Sequence, residues 1–279
     1  MVLPSLCPRE CALLVFFASL WVTAFAGPAL PSPELGSAPF ADRRAWHGLP
    51  NAMDVLSSLP FAAIGIWGLL RLLRPDRARE AAQDAVSPPS ASKQPGNALD
   101  CARMFFVGLI LTAAGSAFYH LHPDSLRLAA DRAGMAVAFA GIVGVAVCDR
   151  VSARAGSPAA WLTLAGGLLA VAVFHKTGNV LPWALVQFGG MAVLLTLALA
   201  KPMGSGIGFK PGWVIFLYGL AKLFELSDHA IFEATHELVS GHTLKHLAAA
   251  LAALPVLHAV RAMGRQTLRQ DSNRSGMTA

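Results

Sequence analysis

The chain has 279 residues, of which 55% are hydrophobic and only 14% charged, with a formal net charge of +6. That leaves too little polar surface for a soluble domain of this length, and no basic face interleaved with exposed aromatics points to nucleic acid. Apolar runs long enough to cross a bilayer recur along most of the chain, which predicts an all-α, polytopic membrane protein.

At the N-terminus, Arg9, the apolar run CALLVFFASLWVTAF and Ala24-Phe25-Ala26 before Gly27 follow the order of a secretory signal peptide over residues 1–26. An uncleaved anchor helix is the alternative, and both place residue 27 on the outside. Residues 27–50 are rich in Pro, Gly and Ala and read as an external arm. Seven spans are then expected, at 51–73, 102–121, 126–148, 159–175, 182–200, 213–232 and 240–261. Together they make a seven-helix membrane domain over 51–262. A polar, Pro- and Ser-rich loop joins the first two spans (74–100), and 263–279 form a polar, disordered tail. The four cysteines, Cys7, Cys11, Cys101 and Cys148, do not suggest a disulfide framework.

Charge fixes the orientation. With residue 27 outside, Arg71, Arg74, Arg77, Arg79, Arg150, Arg154, Lys201, Lys210 and Arg261 fall at inner helix ends and loops. The outer segments hold few basic residues, among them Arg43, Arg44, Arg127 and Lys176. Lysine and arginine accumulate on the cytoplasmic side, so the C-terminus is expected inside.

Within this topology one end of the bundle collects polar groups. Ser116 and His120 are four residues apart and share a face at the outer end of the second span. Asp131 lies about one turn into the outer end of the third. His242 and His246, again at i and i+4, open the seventh. Ionisable groups at such a depth are costly unless paired or metal-bound, and so mark functional sites. Three neutral imidazoles with an open fourth position are a known arrangement for catalytic zinc. Each group also has a plain structural role open to it. The His pair can be interfacial, Ser116 a small residue in a helix contact, and Asp131 the partner of Arg127 or Arg132. His122 reads as a loop residue. In the sixth span Lys222 and Glu225 are expected to neutralise one another. Asp228 and His229 are candidates to orient a ligand imidazole, and Lys245 is expected to reach outward.

Ser-x-x-x-His (Ser116, His120), a following aspartate (Asp131) and a late His-x-x-x-His (His242, His246) in seven spans resemble the alkaline ceramidase family. That family belongs to a superfamily of seven-helix membrane hydrolases with adiponectin-type receptors and GPI-remodelling proteins. The stretch PNAMDVLSSLPFAAIGIWGLL (50–70) is similar to the family's first-helix motif, with Asp54 and Ser58 where asparagines are usual. The resemblance covers about residues 40–262. It implies an intramembrane zinc amidase in which His120, His242 and His246 hold zinc. Asp131 would then be general base on the zinc-bound water, and Ser116 would stabilise the oxyanion. It also implies a calcium ion, for which Asp42 and Asn51 are the available oxygen donors, although the acidic cluster is largely missing and Arg43 and Arg44 intrude.

The expected substrate is a ceramide-like lipid amide, cleaved to a fatty acid and a sphingoid-type base; no protein partner is indicated. The expected setting is a bacterial inner membrane, as a multi-pass protein with its site toward the periplasm. A receptor on the same scaffold with a structural zinc is the alternative. A metal or proton transporter would need titratable groups continuing to the inner side, where the spans are nearly all apolar.

Overall fold

The computed structural model describes residues 6–31, 40–83, 96–203 and 206–263. The molecule is an all-α membrane bundle, and among the described residues there is no β-strand. Among the described residues, seven helices are long and apolar enough to cross a bilayer: Pro8–Ala26, Ala52–Leu73, Asn97–Leu121, Ser125–Arg150, Ala153–Thr177, Leu181–Leu199 and Gly241–Met263. Helices satisfy every backbone N–H and C=O internally, which is what an apolar chain in lipid requires.

In chain order the elements begin with α1 (Pro8–Ala26), the short α2 (Ala52–Leu56), α3 (Leu59–Gln83) and α4 (Gly96–Leu121). They continue with α5 (Ser125–Arg150), α6 (Ala153–Thr177), α7 (Leu181–Leu199), α8 (Pro211–Leu226), α9 (Asp228–Ala234) and α10 (Gly241–Leu251). Side-chain oxygens cap three helix starts by accepting a backbone N–H three residues on. Asp124 does so for Arg127, Ser152 for Ala155 and Ser240 for Thr243.

Two expectations change. The sixth span, expected over 213–232, stops at Leu226. The chain breaks at Ser227 and restarts as α9, and the break lets Asp228 reach the N-terminus of α10. The first span continues as helix to Gln83, into the stretch expected to be loop. The rest of that loop's centre (84–95) and the tail beyond 263 lie outside the described residues.

The site is positioned chiefly by the crossing of α4 and α5, which small residues bring close. A Cβ added at Gly108 would stand 2.2 Å from the Ala138 nitrogen, and one at Gly141 would stand 2.2 Å from the Phe105 nitrogen. Nearer the site, a Cβ at Gly115 would meet the Asp131 Cα at 2.8 Å. No larger residue fits these places without moving a backbone, so the glycines set the depth of Ser116 and His120 against Asp131. The core filling the remainder is apolar, with Phe106, Val145, Val147, Val256 and Leu257 fully buried.

α1 belongs to the bundle. Leu20 lies over Gly189 of α7, and Trp21 lies over Gly166 of α6. At the end of the bundle away from the histidines, the buried Glu10 binds Arg154 through both carboxylate oxygens, at 2.8 and 2.6 Å.

A candidate metal centre

Two helices deliver three imidazoles to one point. His120 comes from the last turn of α4, and His242 and His246 from successive turns of α10. All three are buried, at 1%, 8% and 5% exposure, in a bundle where an unpaired polar group is expensive. The ring centroids form a near-equilateral triangle with sides of 4.8, 4.9 and 5.2 Å. The rings offer one ligand nitrogen each, all within 4.8 Å of one another, and the group could hold a metal ion. The Nε2 atoms of His120 and His242 approach to 3.3 Å.

The imidazoles are oriented from behind. Ser57 Oγ donates to the Asp54 carbonyl at 3.1 Å, so its oxygen is free to accept from His246 Nδ1–H at 2.8 Å. That tautomer leaves the lone pair of His246 on Nε2. Ser116 Oγ stands 3.5 Å from the same Nε2 and 2.9 Å from Ser58 Oγ. Ser58 also reaches the Asp54 carbonyl, at 3.1 Å.

Asp54 is fully buried. Its Oδ1 accepts from Thr243 Oγ1 at 3.1 Å, and its Oδ2 faces His120 Nδ1 at 3.9 Å. The signal was available: an acid at the mouth of an apolar span marks a site by default.

Asp131 sits half-buried on α5, its backbone against Gly115, one residue from Ser116. It is outside the three-histidine group. Arg127, one of the two arginines offered to it by the sequence, pairs with Asp124; Arg132, the other, also lays its guanidinium 3.9 Å over the Phe174 ring. Asp228 acts on a backbone and not on an imidazole ring. One oxygen accepts the His242 N–H at 2.7 Å and the other the Ala41 N–H at 2.9 Å. His229 is exposed. Lys222 and Glu225 pair as expected, at 2.6 Å, and Lys245 joins them at 2.9 Å to Glu225 where an outward reach was expected.

The external arm lies over the histidines. Phe40 is 5% exposed, with its ring centroid 4.6 Å from His120 and 4.7 Å from His242. Farther along, Asn51 adopts a left-handed conformation and donates from Nδ2 to the His120 carbonyl at 2.7 Å.

A calcium site does not fit these residues. Both Asp42 oxygens are held by the Arg44 guanidinium, at 2.9 and 2.7 Å, and Asp42 also accepts the Arg44 N–H. Burial alone would raise the Asp42 carboxyl; its bonds to Arg44 outweigh this and hold it below its ordinary value. The oxygens a hard cation would need are already neutralised.

No protein-family model matches the chain, and no curated protein is significantly similar to it. The functional assignment therefore rests on the chemistry of the site.

Proposed function

We propose that the protein is a zinc-dependent intramembrane hydrolase of a lipid amide, ceramide-like, releasing a fatty acid and a sphingoid-type base. The observation that carries this is the buried triangle of His120, His242 and His246 at one end of an apolar helical bundle. Three neutral nitrogen ligands with a position left open are the donor set of catalytic zinc. The tautomer set on His246 by Ser57 suits the same role.

When bound, zinc supplies Lewis acidity, lowering the pKa of coordinated water and polarising a carbonyl. The chain's own residues would supply the rest. Ser116, beside His246, is placed for its hydroxyl to donate to an oxyanion forming at the carbonyl. Asp131, across the α4–α5 crossing from Ser116, would take a proton from water and return it to the leaving amine. The apolar bundle would receive an acyl chain while the polar head stays at the histidine end. By the charge pattern that end faces outward, toward the periplasm if the membrane is a bacterial inner one.

The test is the metal content of the detergent-purified protein, wild type beside His242→Ala/His246→Ala, followed by fatty-acid release from a panel of lipid amides. About one zinc per chain, absent from the double variant, together with release of fatty acid, is the expected result. Negligible zinc in both would overturn the proposal. One zinc with no hydrolysis of any amide would favour the structural-zinc receptor instead.

A further inference from the structure

Two buried polar atoms of the site, Asp54 Oδ2 and His120 Nδ1, have no hydrogen-bond partner. They face one another at 3.9 Å, about 1 Å beyond a hydrogen bond. An orphaned buried acceptor opposite an orphaned buried nitrogen is an expensive arrangement to keep.

The geometry points to Asp54 as the positioning residue of the metal centre: once the 3.9 Å gap closes on metal binding, its carboxylate would accept His120 Nδ1–H and so turn the His120 Nε2 lone pair to the metal. This rests on the metal-site reading above. His120 presents Nε2 toward His242, so Asp54 stands on the far side of the imidazole, behind the ligand and outside the metal's own sphere. A carboxylate there fixes the tautomer and ring orientation and makes the imidazole a better donor.

The rest of the Asp54 environment fits that task. Ser240 Oγ donates to Thr243 Oγ1, which leaves the Thr243 hydrogen for Asp54 Oδ1. The carboxylate is thereby pinned through one oxygen with the other aimed at His120. The Asp54 carbonyl meanwhile accepts from Ser57 and Ser58, the serines that contact His246 and Ser116. One residue thus faces a ligand of α4 with its side chain and supports His246 of α10, through Ser57, with its backbone. Coordination at Nε2 needs the proton on Nδ1, and Asp54 Oδ2 is an acceptor facing that nitrogen across the gap.

The experiment is zinc affinity by chelator competition on the full detergent-purified chain, for wild type, Asp54→Asn, Thr243→Val and, as a control, Asp42→Asn. Each is also loaded with Co(II) and its visible spectrum recorded. Asp54→Asn is expected to bind zinc roughly 10- to 100-fold more weakly than wild type, with an altered Co(II) spectrum. Thr243→Val, which keeps the charge but loses its aim, is expected to fall in the same direction by less. Asp42→Asn is expected to match wild type. Wild-type affinity and spectrum in Asp54→Asn would overturn the inference. If that variant does not fold, an unweakened Thr243→Val overturns it instead. A wild type that takes up no zinc fails the metal-site reading itself, a result distinct from one zinc held equally by all variants.

Discussion

The Phe40 ring meets the His242 ring edge-on, with their centroids 4.7 Å apart and the planes 74° from parallel. The same ring lies 4.6 Å from His120, so one arm residue covers two of the three imidazoles. It is held there because the next residue, Ala41, donates its N–H to Asp228, whose other oxygen holds the start of α10. The arm and the helix that carries His242 and His246 are therefore tied to one carboxylate.

That arrangement sets the first expectation. Phe40→Ala removes the apolar cover but none of the nitrogen ligands. About one zinc per chain should remain, while its loss to an added chelator quickens by roughly tenfold, because the apolar shell controls solvent access to the ion. Stopped-flow chelation with a chromogenic ligand reads this directly. An unchanged rate would mean that solvent reaches the histidines by a route the arm does not guard.

The second expectation concerns α1. A signal peptide departs after cleavage, yet this helix carries a buried acid with three bonds to the start of α6 and one within its own N-terminus. Glu10 binds Arg154 twice, Ser152 Oγ at 2.7 Å and the Cys7 N–H at 2.9 Å. Ala24, within the small-residue motif, is 1% exposed. Burial of a charge in this way is stable only while its partner stays. Protein extracted from membranes should retain residues 8–26, as intact mass and N-terminal sequencing will show. A mature chain beginning at Gly27 would mean that α1 docks only before processing.

Much of the site could be read from spacing alone. His242 and His246 at i and i+4, and Ser116 and His120 likewise, share helix faces whatever the bundle around them does. Their agreement in depth followed from counting spans. What could not be read depends on contacts between distant segments. The break at Ser227 interrupts an apolar run with no Pro or Gly; its cause is the pull of Asp228 toward the N-terminus of α10, which no local pattern encodes. Lys245 looked free to reach outward because Glu225, twenty residues earlier, lies on another helix. Phe40 sat in an arm with no periodicity to give its side a direction. Asp54 is an acid in an otherwise apolar span, and that depth marks it more strongly than its departure from the first-helix motif does.

The last expectation separates the two groups proposed to act on the substrate from those that hold the metal. Asp131 lies outside the histidine group, and its Cα would be 2.8 Å from a Cβ at Gly115, so its position depends on the close α4–α5 crossing. If it carries the proton, Asp131→Asn keeps the zinc and the fold and lowers kcat for lipid-amide hydrolysis by roughly 10²- to 10⁴-fold. Ser116→Ala, which removes a donor from the oxyanion, should cost about 10²- to 10³-fold in kcat, again with zinc retained. Zinc content and kcat measured on the same preparations distinguish the outcomes. Loss of zinc in Asp131→Asn would make that carboxylate a ligand and not a base. Full activity in Asp131→Asn would instead pass the proton to another group, and Asp54, the buried carboxylate beside His120, is the one the geometry offers.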